Sequence, residues 1–211
     1  MKTIDVTLHP AGYALADSNF NSLSVLDGYV YYTLSSHDID HHGRVFRYDP
    51  AANKTEFLCD LGDATGDASK KAIPHGKSHS PFYRVGDRII FATHYGFYQG
   101  NDGKEEPAPP PEGYVPYPGG KLLSLDPETG RCEVLAAAPP EEGIITMNMD
   151  VARGRVFCLT WPRAYFLVFD LHTGEMKNLG QHSRGGELFL HLPHVRDRPA
   201  RRRRLLHQRR R

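Results

Sequence analysis

RVFRYDPAANKTEFL (44–58) decides the fold, because the chain writes it three times. KLLSLDPETGRCEVL (121–135) and YFLVFDLHTGEMKNL (165–179) align with it without gaps. Each copy is a short apolar run, an aspartate (Asp49, Asp126, Asp170), a turn and a second short run. The residue four places after the aspartate is Asn53, Gly130 or Gly174, types that accept the positive φ closing a tight turn. Each copy is therefore predicted to be a β-hairpin, with the aspartate bonding turn amides rather than doing chemistry.

Two further strands precede each hairpin. DGYVYYTLSS (27–36), GDRIIFATHY (86–95) and RGRVFCLTWP (153–162) are turn-then-strand segments, and NFNSLSVL (19–26), SHSPFYRV (78–85) and ITMNMDVA (145–152) come before them. Four antiparallel strands repeating at this period mark a propeller blade. The expected fold is all-β, a β-propeller fragment of about three four-stranded antiparallel blades. The divisions are an N-terminal segment 1–18, a first blade 19–66, a second blade 67–142, a third blade 143–186 and a basic tail 187–211. The second blade carries a Pro-rich insertion, 95–120, between its second and third strands. Pro107, Pro109, Pro110 and Pro111 favour extended backbone without hydrogen bonds. The insertion reads either as a solvated loop or as a lid whose Phe97, Tyr114 and Tyr117 touch ligand.

The net charge of +1 hides an asymmetry. Nine Arg and one Asp lie in the last sixteen residues; without them 17 basic and 24 acidic side chains remain, about −7. An acidic body makes a nucleic-acid partner unexpected unless the tail alone holds it. The tail has a second reading. With permitted codons, RPARRRRLLHQRRR (198–211) shifted by one base encodes DPRDGVVYFTNADG, a strand–turn–strand junction like MDVARGRVFCLTW (149–161). The expectation is that a frameshift between about residues 181 and 195 replaced a fourth and later blades, since propellers close with roughly four to eight. No run of 18 apolar residues occurs and the N-terminus lacks an apolar leader, so no membrane is expected and the cytoplasm is the expected compartment. Cys59, Cys132 and Cys158 form no C-x-x-C pair and read as small buried hydrophobes.

Propeller topology places the loops after second strands and those between blades on one face. That face collects His37, Asp38, Asp40, His41 and His42 from the first blade, then His75, Lys77 and His79. His94 and Tyr95 follow from the second blade, and Trp161 and Arg163 from the third. His182 falls near the connection after the third blade. Neutral imidazole binds Zn2+ or Mn2+, so His79 and His94 are the candidate ligands for a divalent metal. Lys77 and Arg163 could pair with an anionic ligand such as a uronate, and Trp161 and Tyr95 could stack on sugar rings. The plain alternative for each is a polar loop residue or a packed aromatic. HGKS (75–78) resembles the end of a P-loop, but position 71 is Lys where glycine is required. No nucleophile elbow, paired Cys–His motif or dinucleotide fingerprint is present.

ADSNFNSLSV (16–25), YYTLSSHDID (31–40), GKSHSPF (76–82), FATHYGFY (91–98), YPGGKLLSLDP (117–127) and GIITMNMD…GRVFCLTWP (143–162) resemble a group of bacterial β-propellers. More coarsely the chain is similar to the seven-bladed propellers of oligogalacturonate and streptogramin lyases. That resemblance implies a His-containing, metal-assisted site on one face that removes a proton and eliminates, and it transfers no ligand residue to a position here. The expected function is binding of a small molecule, including a carbohydrate, or of a protein partner on the loop face. The alternative is a metal-dependent lyase of the oligogalacturonate type. Self-association through open blade edges is also expected.

Overall fold

A computed structural model describes residues 6, 8–101 and 104–182. The tail, 187–211, and the end of the third expected blade lie outside the described residues. The fold is all-β, with three four-stranded antiparallel sheets of propeller-blade type.

The first sheet runs β1 (Leu23–Leu26), β2 (Tyr29–Leu34), β3 (Arg44–Asp49), β4 (Lys54–Asp60). The second runs β5 (Tyr83–Val85), β6 (Arg88–Ala92), β9 (Lys121–Leu125), β10 (Cys132–Ala137). The third runs β11 (Gly143–Asp150), β12 (Arg155–Trp161), β13 (Tyr165–Asp170), β14 (Glu175–Gln181). In each, consecutive strands are hydrogen-bonded neighbours. The repeated aspartate does the structural work its position suggests. Asp49 accepts from the amides of Ala51 and Ala52, Asp126 from those of Glu128 and Thr129, and Asp170 from those of His172 and Thr173, all at 2.8–3.3 Å. Asn53, Gly130 and Gly174 close these turns with φ of 53°, 72° and 70°.

Strand composition follows from how many faces are covered. In β6, Ile89 and Phe91 face the first sheet while Ile90 and Ala92 face the third, and all four are buried. In β9, Leu123 and Leu125 face the first sheet and Leu122 the third. Both faces of the middle sheet are dry, so RIIFA and KLL are continuous apolar runs. β2 and β13 bury only alternate residues, and their sequences carry polar or half-buried aromatic positions between. The first sheet contributes Tyr31, Val45 and Cys59 to one inter-sheet core, and the third contributes Met147, Met149, Val156, Cys158, Leu167 and Phe169 to the other. The outer faces of the end sheets carry no covering sheet among the described residues. Val25, Phe57 and Leu179 are 68%, 56% and 61% exposed there.

The structure departs from the sequence expectation in four places. The first strand of the second sheet begins at Tyr83 rather than Ser78, because Pro81 has no amide to donate. The hydroxyl of Ser80 takes over the ladder, accepting from the amide of Ala92 at 2.9 Å. Likewise β1 begins at Leu23, with the Asn19 side-chain amide donating to the carbonyl of Thr33 at 2.7 Å. The insertion is not simply extended chain. Tyr98–Asn101 (β7) pairs with Lys104–Pro107 (β8), a hairpin in which Tyr98 faces Pro107. Pro107 is tolerated because it sits at the end of an edge strand. Lastly, a one-turn helix α1 (Leu61–Thr65) follows β4, capped by the Asp60 carboxylate on the amide of Gly62 and ended by Gly66 at φ 73°.

Candidate functional site

Three loop backbones meet on one face and set the positions of the polar side chains. The loop Ser36–Gly43 donates from Ser36 to the Gly76 carbonyl and from Gly43 to the His75 carbonyl, both at 2.9 Å. His94 donates to the Lys77 carbonyl at 2.7 Å and Gly96 to the Pro74 carbonyl at 3.0 Å. This contact requires glycine. A Cβ on Gly76 would lie 2.2 Å from the Ser36 oxygen and 2.4 Å from the Gly96 Cα.

Lys77 is held at this junction with its side chain 1% exposed. Its ammonium donates to His37 Nε2 at 3.1 Å, and His37 Nδ1 lies 2.8 Å from the Asp17 carboxylate. The partners assign the tautomer: Nδ1–H donates to Asp17, leaving Nε2 to accept from lysine. The Asp17 carboxyl is pushed up by burial, but hydrogen bonds from Ser18 and His37 outweigh that and hold it below the usual carboxylate range. The Lys77 ammonium lies 4.1 Å from the ring centres of both Phe20 and Tyr98. Its nearest carboxylate oxygen among the described residues is that of the exposed Glu105, at 4.0 Å. Burial pulls the ammonium down to about 8, against the attraction of Glu105 and Asp17. Tyr98 and Glu105 both belong to the β7–β8 hairpin, which therefore covers Lys77.

His79 and His94 stand beside this group. Their ring centres are 4.7 Å apart, and His79 stacks on Phe20 at 4.5 Å. His79 Nε2 and His94 Nδ1 are buried without a hydrogen-bond partner. Burial, then the nearby Lys77 charge and His37, lower His79 to about 4; burial also holds His94 well below the ordinary imidazole range. For a metal, these two imidazoles need further ligands. Among the described residues no group of three or more His, Cys, Asp or Glu side chains is placed to hold one. The neighbour they do have is an ammonium, which repels a cation.

The other expected site residues separate into different roles. His75 is fully buried; Nε2–H donates to Asp67 at 2.9 Å, and Nδ1 faces the hydroxyls of Thr93 and Tyr117, each at 2.9 Å. Burial pulls it down to about 4 against the Asp67 charge, so it is a neutral structural tie between loops. Tyr95 is buried against Tyr117, Tyr98 and Trp161 at 4.6–5.9 Å, which leaves no ring face for a sugar. Trp161 is half-buried at the same cluster, 5.9 Å from His94. Arg163 is already neutralised by Glu142 at 3.3 Å and Glu141 at 3.1 Å. Asp38 and Asp40 are exposed at the rim, where Asp38 pairs with His41 at 2.6 Å and Asp40 accepts from Tyr114. His42 accepts from the His75 amide at 3.1 Å. Of the three insertion aromatics, Tyr117 is buried and Phe97 packs beside it. Tyr114 is turned to Asp40. Sequence reasoning missed Asp17, Phe20, Tyr98 and Glu105. Only ADSNF and FATHYGFY marked their neighbourhood, and nothing local pairs those segments.

No protein-family model and no curated protein matches the chain. Among solved structures it is similar to the extracellular domain of the BT4673 protein of B. thetaiotaomicron, with 12% identity and a TM-score of 0.42. It is also similar to a chain of the nidogen/laminin complex at 9% and 0.42, and to the tricorn protease at 13% and 0.41. In each case 74% of this chain matches, over 16%, 44% and 12% of the other chain respectively. These likenesses are distant and specify no family.

Proposed function

We propose that the protein binds an anionic small molecule, in the first instance a carboxylate-bearing sugar, at Lys77 on its loop face. The observation that carries this reading is a buried ammonium with no carboxylate closer than 4.0 Å among the described residues. Buried charges are normally paired closely, and one matched only by an exposed carboxylate at 4.0 Å is under-compensated unless a ligand completes it. A uronate carboxylate would supply a closer counter-charge than Glu105. The spare nitrogen of His79 would serve its hydroxyls, and the half-buried Trp161 its ring. Arg163 drops out of the anion site because two glutamates occupy it. Since the β7–β8 hairpin covers Lys77, the ligand enters by displacing it. The metal-dependent lyase reading has less support, because the nearby ammonium repels a cation and no third ligand stands with His79 and His94 among the described residues.

Titration calorimetry of oligogalacturonates against their carboxyl-reduced, neutral counterparts tests this. The acidic series should bind and the neutral series should not, and Lys77→Met should weaken binding tenfold or more. Equal binding of both series, or binding untouched by Lys77→Met, would overturn it.

A further inference from the structure

Away from the loop face, the outermost strands of the first two sheets bring two thiols together. Cys59 of β4 and Cys132 of β10 are free, and their sulfurs are 3.5 Å apart across 73 residues of sequence. The contact is built rather than incidental. The turn entering β10 lies against β4, so closely that a Cβ on Gly130 would stand 2.2 Å from the Leu58 carbonyl oxygen. Arg47 of β3 reaches Glu128 of that same turn at 3.3 Å. The two thiols differ in access. Cys59 is buried, whereas Cys132 is half-buried and lines a cavity of about 410 Å3 together with Arg88, Asp126, Arg131 and Glu133.

We infer that Cys59 and Cys132 form a reversible disulfide that staples the first sheet to the second, made by thiol–disulfide exchange with a small disulfide such as oxidised glutathione. The accessible Cys132 thiolate attacks one sulfur of the small disulfide, forming a mixed disulfide and releasing one thiolate. Cys59, already in contact, loses its proton to solvent and attacks the Cys132 sulfur. The second small thiolate leaves. The protein loses two protons and two electrons; the oxidant gains both electrons and departs as two thiols. The adjoining Cys132 thiol and then burial hold Cys59 protonated, and with Cys59 buried and Cys132 half-exposed the first attack falls to Cys132. Closing a long loop between the two sheets stabilises the pair by restricting the unfolded chain.

The test is incubation of the full chain with oxidised glutathione, followed by thiol titration and peptide mass mapping. Titratable thiols in denaturant should fall from three to one. A linked pair of tryptic peptides, 55–70 with 132–153, should appear with the loss of two hydrogens and vanish on reduction. The oxidised protein should melt at a higher temperature than the reduced one. Cys59→Ser should stop the reaction at glutathionylated Cys132, and Cys158→Ser should leave the link intact. A lasting mixed disulfide on Cys132 in the unsubstituted chain, a link to Cys158, or three unreacted thiols would overturn the inference.

Discussion

The ammonium of Lys77 lies 3.1 Å from Nε2 of His37, so a buried cation leans on a neutral ring rather than on a carboxylate. The carboxylate of Asp17 sits one step further out, on the other side of that ring. An ammonium in this setting is under-compensated in the free protein.

The first prediction follows directly. The lysine is lowered to about 8 in the folded protein and titrates near 10.4 unfolded. A depressed value means the charged form opposes folding: the cost is complete below pH 8 and gone above about 10.4. Lys77→Met should therefore raise stability at pH 7, by about 1–3 kcal/mol, while weakening anion binding tenfold or more. Denaturant unfolding of both proteins measures it. Equal destabilisation and loss of binding would instead mean that the ammonium is structural.

Acid should unfold this protein early. His75 and His79 stand near 4 and His94 well below the ordinary value, all because of burial. The unfolded chain binds their protons first, so stability is full above about pH 6.5 and is lost as pH falls toward 4. For the fully buried His75 alone the loss is about 3 kcal/mol. Melting temperature measured from pH 7.5 to 4.5 should drop steeply within that window.

Gly76→Ala should cost about 3 kcal/mol, because its methyl would meet two backbone segments that cannot rotate away. Gly100→Ala on the hairpin is the control. Nothing lies within 4 Å of a Cβ there, and its stability should change by less than about 1 kcal/mol.

Asp67→Ala should destabilise by about 1–3 kcal/mol, since it leaves the buried Nε2–H of His75 without an acceptor. Asp67→Asn keeps an acceptor and should recover part of the loss. Chemical denaturation of the three proteins, at a pH above 6.5, decides between the two.

Self-association should run through the outer faces of the end sheets, where Val25, Phe57 and Leu179 lie open. Light scattering of the unsubstituted chain should show oligomers, and Val25→Lys with Leu179→Glu should shift them toward monomer. A monomer at all concentrations before substitution would count against it.

The three hairpins were legible because their determinants are local. An alternating apolar run, an aspartate and a residue tolerant of positive φ lie within fifteen positions of each other, at 44–58, 121–135 and 165–179. The continuous apolar runs RIIFA and KLL read only as strands, and that both faces of their sheet are covered came from the structure. The convergence of His37, Lys77, His79 and His94 could be expected once blades were recognised, because loop order in a blade sets which face a loop occupies. What sequence could not decide is which of the gathered side chains already have partners. Arg163 is spent on Glu142, His75 on Asp67, and Tyr95 on Tyr117, whereas Lys77 is not matched by a carboxylate in direct contact. Those pairings depend on loop paths between residues far apart in the chain, and on burial that strengthens one charge and silences another. Strand and turn are written in neighbours; the under-compensated charge emerges only when three sheets close around it.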